Sequence, residues 1–352
     1  MSDKEFRLRL TKDENDIIQA WRERGNLPEL LEQCKAVGIP LKDVKHYWHK
    51  SEKFSIFAKN DAFSLEDLFT PILEQLQSYS PTFTPILRQP VKDPHCLIID
   101  PADVHVGKYS SISETGAQYD IDKAVSQVHD GIEGILSKAF GFNIDKVIFV
   151  IGNDCLHIDT PKRQTTSGTP QDTCGMWHEA FVAAKEMYIR AIERILPYSN
   201  VEVIFNPSNH DYMSGFMLAQ TIEAYFRNSA NVKFDVSIRH RKYTRYGNNM
   251  IATSHGDGAK LDQTPLLMAT ENPQMWNDCH YRYIYLHHIH HKQTHKFMSG
   301  KDFIGVTAEY LRSPSYSDAW HEKSGYVGAK KAIEGFVHSF QYGQVARLTH
   351  HV

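Results

Sequence analysis

Three short apolar runs constrain this chain most: Cys96-Leu97-Ile98-Ile99-Asp100, Val147-Ile148-Phe149-Val150-Ile151 and Val201-Glu202-Val203-Ile204-Phe205. Each has the length of a buried strand, and each gives way to a polar loop. Helical patterns lie between them. Val125, Val128, Ile132, Ile135, Leu136 and Ala139 recur at helical spacing, and a longer helix from Met176 to Leu196 carries Phe181, Ala184, Tyr188, Ile192 and Ile195. Strand and helix in alternation predict an α/β fold joined by crossovers. Beyond residue 232 the pattern turns strand-rich, with runs at Val232 to Ile238 and Tyr283 to Leu286. Hairpins are expected around Gly247-Asn248-Asn249, near Gly300 and near Gly343.

The loops that follow the strands carry the chemistry. Asp103-Val104-His105-Val106-Gly107 follows the first strand, Gly152-Asn153-Asp154-Cys155-Leu156-His157 the second, and Ser208-Asn209-His210-Asp211 the third. Ser254-His255-Gly256-Asp257 comes next, and His287-His288-Ile289-His290-His291 closes the series. Ligands of open α/β sheets bind outside the carboxyl ends of the strands, so five polar groups at such ends point to one site. Carboxylate, imidazole and amide oxygen together suit Mn²⁺, Fe, Zn²⁺ or Ni²⁺ rather than Ca²⁺ or a thiolate site. Two such ions bridged by one carboxylate, roughly 3.5–4 Å apart, are the arrangement used for in-line phosphoryl displacement.

Composition narrows the class. The chain has 352 residues, 41% of them apolar, which suffices for one large domain and a small one. A formal charge of −3 gives no global electrostatic footprint for nucleic acid, so any such surface is local. Cys34, Cys96, Cys155, Cys174 and Cys279 lack the close spacing of a zinc knuckle or redox pair and read as reduced thiols. No run approaches a membrane span, and the expected location is the cytoplasm.

Residues 1–60 read as short helices. Asp13 to Arg24 presents Ile17, Ile18 and Trp21. A second helix opens near Pro28 with Leu30, Leu31, Cys34 and Val37 on one stripe. After Gly38-Ile39-Pro40 a third runs from Leu41 through Val44, Tyr47 and Trp48. This is the helix-turn-helix pattern, and Lys42, Lys45, His46, His49 and Lys50 would give its last helix a basic face suited to nucleic acid. A further helix is expected over Leu65 to Gln77, and the proline-rich stretch from Ser80 to Pro94 reads as a linker. The expected domains are therefore 1–60, a helix and linker over 61–94, and 95–352.

In order, the strand-end motifs resemble those of the calcineurin-like metallophosphoesterases: Asp-x-His, Gly-Asp, Gly-Asn-His-Asp/Glu, a later His, and Gly-His-x-His, over roughly residues 95–295. The resemblance implies an αββα sandwich of two mixed β-sheets flanked by helices, behind a small all-α helix-turn-helix-like domain. It implies two divalent metal ions, Mn²⁺ foremost, with Asp103, His105 and His290 on one, Asn209, His255 and His288 on the other, and Asp154 bridging them. His210 would stand by the scissile phosphate. Three positions depart from the family pattern: Asn153 intervenes between Gly152 and Asp154, Ser208 precedes Asn209, and His287 precedes His288. Ala102-Asp103-Val104-His105-Val106-Gly107 and Asp154-Cys155-Leu156-His157 are similar to motifs of the Mre11/SbcD-like nuclease branch. There the extra histidine, here His157, helps orient the catalytic one. The chain also resembles phage-encoded members, which would place it in a bacterial cytoplasm.

The expected function is metal-dependent phosphodiester hydrolysis by a DNA nuclease, with RNA a further substrate. The alternatives are a phosphatase or small-molecule or nucleotide phosphodiesterase, and a nucleic-acid-binding protein working through its N-terminal helices. Any ATPase partner would be a separate chain, and the oligomeric state, a homodimer included, stays open. Asp159 to Gly175 reads as a substrate-contacting or a plain surface loop. Arg239-His240-Arg241-Lys242 with Tyr243, Arg245 and Tyr246 reads as a phosphodiester-binding patch or a charge-protected edge strand. Trp320 and His321 lie in a polar loop within possible reach of the site. Asp211 reads as a loop support and Asp257 as a hydrogen-bond partner near His255, rather than as ligands.

Overall fold

Aromatic and β-branched residues in short runs favour pairing into strands over helix, and this decides two described segments of the first unit, 46–50 and 55–59. The computed structural model describes residues 27–37, 46–50, 55–59, 81–288 and 300–352, and the chain divides into two units, Met1–Tyr79 and Ser80–Val352. In the first, α1 spans Leu27–Val37, the second of the expected helices. The third expected helix is corrected. His46–Lys50 is a strand, β1, antiparallel to β2 at Ser55–Lys59, with Trp48 opposite Phe57 and Tyr47 opposite Ala58. This unit is therefore not all-α, and the expected recognition helix gives way to a strand over residues 46–50. The helices expected over 13–24 and 65–77 lie outside the described residues.

The second unit contains two mixed sheets. In the six-stranded sheet, β3 (His95–Asp100), β4 (Ile144–Gly152), β5 (Asn200–Asn206) and β6 (Val232–Asp235) run parallel. On the far side of β3, β12 (Ala332–Ser339) and β13 (Gly343–His351) add antiparallel strands. In the five-stranded sheet, β8 (Asn249–Ser254), β9 (Tyr281–Leu286) and β11 (Val306–Tyr310) are parallel. They are edged by antiparallel β7 (Arg241–Tyr246) and β10 (Gly300–Phe303).

Period-two alternation assigns the faces. Leu97, Ile99, Val147, Phe149, Val203 and Phe205 join the core beneath helices α2 (Ile121–Lys138), α3 (Trp177–Ile195) and α4 (Tyr212–Phe226). Their neighbours Cys96, Ile98, Ile148, Val150 and Ile204 face Ile251, Tyr285 and Phe336 in a core between the sheets. On the outer face of the second sheet, Met250, Ala252 and Ile284 pack with Met268 of α5 (Thr264–Glu271) and Cys279 just after α6 (Pro273–Asp278). The layering is helix, sheet, sheet, helix. Each fully buried Val, Ile, Leu or Phe contributes about 1.5–3 kcal/mol, so these alternating runs hold the strands in register and fix where their ends lie.

Residues 81–94 form neither helix nor strand. Phe83 stacks on Phe226 at 5.2 Å, and the Asn231 side chain bonds both the N–H and the carbonyl of Ile86. No helix among the described residues is long and apolar enough to cross a membrane.

Candidate metal centre

The polar loops at the ends of β3, β4, β5, β8 and β9 converge, and the backbone there is held in an uncommon conformation. Asp103, His105, Asn153, Asp154 and His288 all have left-handed φ, between 51° and 69°. Such a conformation costs about 1–3 kcal/mol per non-glycine residue and persists only where the surroundings impose it. Gly152 is left-handed too (φ 85°), and a Cβ there would lie 2.3 Å from the carbonyl oxygen of Asn206. Three left-handed residues in succession therefore turn the chain sharply at the end of β4. The first two loops also run side by side: the N–H of Asp103 donates to Asn153, that of His105 to Asp154, and that of Val106 to Cys155.

Ligand-type atoms gather in three groups whose members lie within 4.8 Å of one another: Asp103, His105 and Asp154; Asp154, His255 and His288; and His105, His157 and His210. Asp154 belongs to two of them. Asn209 joins the second, since its Oδ1 is 2.9 Å from His255 Nε2, which is itself 3.2 Å from Asp154 Oδ2. The structure thus brings together Asp103, His105, Asp154, Asn209, His255, His288, His210 and His157. His290 lies outside the described residues.

The residues fit divalent cations. Every donor is a carboxylate, imidazole or amide oxygen. The His255 ring turns Nε2 to both Asn209 Oδ1 and Asp154 Oδ2, the direction a metal ligand would take. Charge is concentrated as well. Burial raises the Asp154 carboxyl, but the charge and hydrogen bond of His255, helped by His210, hold it well below the usual carboxylate range. Burial would lower His255, yet Asp154 raises it to about 9. Asp103, buried beside Asp154, is pushed up to about 6. A donor set that holds an imidazolium this firmly also suits a metal cation, which would compete with that proton.

His210 is fixed by two contacts. Its backbone N–H donates to Asp154 Oδ1 at 3.0 Å, and its Nδ1 lies 2.9 Å from the carbonyl oxygen of His157. A proton on Nδ1 directed at that carbonyl leaves Nε2 to meet a ligand. The group of His157 that meets His210 Nδ1 is thus its main chain, while the two rings stack with centroids 5.4 Å apart. The His157 ring instead lies 3.3 Å from His105, nitrogen to nitrogen. Burial, reinforced by His210 and Lys108, pushes His157 well down, so it is neutral.

The departures from the family pattern have partners. Ser208 Oγ donates to Asp211 at 2.5 Å and accepts from the N–H of Asp154 at 2.7 Å. Asp211 also accepts from the N–H of Leu156, tying the second and third loops together. His287 Nε2 is 3.0 Å from Asp100 Oδ2, both side chains fully buried. Asp100 in turn accepts from Asn153 Nδ2. Asp159 accepts from the N–H groups of Met213 and Ser214 and from Thr166 Oγ1, so the long loop is anchored to the start of α4.

A cavity of about 520 Å³ opens over the cluster, lined by His105, Asp154, His157, His210 and His288. Thr169 to Asp172 of the long loop, Trp320 and His321 also line it. Two groups that no motif marked also line it: Lys108, 1% exposed, and Asp318, whose Oδ2 is 3.3 Å from Lys108 Nζ. Residues 241–246 of the basic patch form edge strand β7, and its three cations are paired. Arg241 meets Glu271, Lys242 meets Asp235 and Arg245 meets Asp278. Asp257 lines a separate cavity with Arg239 and Arg241.

No family model matches the chain, and no curated protein matches it. Among solved structures the chain is similar to a Vps29 double mutant from Entamoeba histolytica. The two share 13% identity over 73% of this chain and 99% of that one, with a TM-score of 0.28.

Proposed function

We propose that the strand-end cluster is a binuclear centre for phosphodiester hydrolysis, that Mn²⁺ is its foremost metal, and that DNA is its substrate. The observation that carries this is the place of Asp154: one buried carboxylate shared by two groups of metal-type donors, on a left-handed turn that leaves it little freedom. When bound, a pair of divalent cations neutralises phosphate charge and acidifies water. Asp103, His105 and Asp154 would hold one, and Asp154, Asn209, His255 and His288 the other. His210, held at Nδ1 by the His157 carbonyl, presents Nε2 to the phosphate. In its doubly protonated form it donates from Nε2 to the oxygen that leaves, giving up that proton as the bond breaks, a contribution of about 10²–10⁴-fold. Neutral His157 packs against both His105 and His210 and adds no positive charge of its own.

The test is cleavage by Mn²⁺-loaded protein of single-stranded, double-stranded and nicked DNA beside bis-p-nitrophenyl phosphate. Cleavage of both DNA and the generic diester supports the reading. Intact DNA with hydrolysis of the small ester would leave a phosphatase or small-molecule phosphodiesterase. No hydrolysis of any of them would remove the reading altogether.

A further inference from the structure

Four groups that line the cavity, Lys108, Asp318, Trp320 and Tyr326, have no part in holding metal or positioning His210, yet they are specifically arranged. Trp320, on the short helix α7 (Ala319–Lys323), is 61% exposed although it lines the cavity. Its ring lies 5.3 Å from that of Tyr326, which is 38% exposed and lines the same cavity. Two large aromatic rings left this open to water are out of keeping with their cost, since burying such surface is strongly favourable. The same cavity is lined by Lys108, a cation with almost no exposure. Its Nζ contacts, 3.3 Å to Asp318 and 3.4 Å to Ser315 Oγ, are at the long end for hydrogen bonds. An ammonium has three donors, so Lys108 retains capacity for an anionic oxygen. Asp318 joins the two features. It meets Lys108 with Oδ2, and with Oδ1 it accepts from the N–H of His321 at 3.0 Å and contacts His321 Nδ1 at 2.6 Å. The turn that carries Trp320 is thereby tied to the lysine.

We infer that Trp320 and Tyr326, with Lys108, form a nucleoside-recognition subsite beside the metal centre, in which a nucleobase lies on the aromatic pair and a phosphate oxygen meets Lys108. This rests on the phosphodiesterase reading of the site and narrows its substrate class to diesters that carry a nucleoside. Stacking is sequence-tolerant because every base has a π-face, so the subsite selects a nucleoside without selecting which one.

The test has a kinetic arm and a binding arm. Mn²⁺-loaded wild type and W320A are compared on the p-nitrophenyl ester of thymidine 5′-phosphate and on methyl p-nitrophenyl phosphate, which share a leaving group. W320A is expected to lower kcat/KM for the nucleoside ester about tenfold more than for the methyl ester, within the range set by base stacking. W320F is expected to restore most of that preference. Equal losses on the two esters, or no preference in the wild type, would overturn the subsite. In the binding arm, calorimetry on metal-free protein with thymidine 5′-monophosphate and with inorganic phosphate reads the subsite without turnover. The nucleotide is expected to bind about tenfold tighter than phosphate, with the advantage lost in W320A and reduced in K108M. Equal affinities of the wild type for the two ligands would also overturn the inference. If neither ester is hydrolysed while the nucleotide advantage persists, the phosphodiesterase reading fails and the subsite stands.

Discussion

Buried histidines occur in two settings in this protein, and their partners separate structure from chemistry. His338, on β12 between the sheets, lies 2.7 Å from the Tyr285 hydroxyl and 3.4 Å from Asn249 Oδ1. Burial pushes it down to about 3, so it stays neutral and packs. At the strand ends His255 is as deeply buried, but Asp154 beside it drives it in the opposite direction, to about 9. Among the described residues no carboxylate contacts His338, and neither it nor Tyr285 nor Asn249 is left-handed, whereas Asp103, His105, Asp154 and His288 all are. Burial of a histidine therefore carries no functional information by itself. A carboxylate within reach, on a backbone held in a costly conformation, does.

The largest effect that would break this contrast is at Asp154. Asp154→Asn keeps the shape and removes the charge shared by the two donor groups, so DNA cleavage is expected to fall to background while circular dichroism shows a folded chain. Cleavage retained within tenfold would mean the carboxylate is structural. Next comes His210→Gln, where kcat is expected to drop about 10²–10⁴-fold with bound Mn²⁺ unchanged, measured by single-turnover cleavage beside metal analysis. Loss of the metal along with activity would make His210 a ligand instead. His287→Asn removes the buried partner of Asp100, and Mn²⁺ affinity is expected to weaken about 10–100-fold, read by calorimetric titration.

The smallest effect belongs to the structural histidine. The folded His338 refuses a proton down to about pH 3, whereas the unfolded chain takes one near its ordinary value of 6.5. The unfolded state thus binds more protons between these values, and stability contributed by neutral His338 is present above 6.5 and lost as pH falls toward 3. Urea unfolding across that window is expected to show a shallower loss in His338→Gln than in the wild type. Identical slopes would show that His338 is not the group responsible.

Much of the site was legible because its chemistry is local in the chain. Asp103 and His105, or Asn209 and His210, stand side by side in motifs that end apolar runs, and a strand end aims neighbouring side chains together. The Lys108–Asp318 and His287–Asp100 pairs were not legible, because each joins residues far apart in sequence that only the folded chain brings together. The alternation of Leu97 and Ile99 with Cys96 and Ile98 shows how a buried parallel strand satisfies two cores at once; strand and helix in alternation pointed to an α/β fold, while the four layers were implied only by the motif resemblance. The expected third helix failed for a physical reason too. A run of five residues as aromatic as His46 to Lys50 satisfies helical and strand spacing equally, and pairing with Ser55–Lys59 decides between them.

Metal stoichiometry bears most directly on the central claim. Equilibrium dialysis of the purified chain against Mn²⁺, followed by elemental analysis, is expected to give two ions per chain for the wild type and a clear deficit for Asp154→Asn. A wild type that binds no Mn²⁺, or a variant that binds as much as the wild type, would contradict the account of a centre built around Asp154.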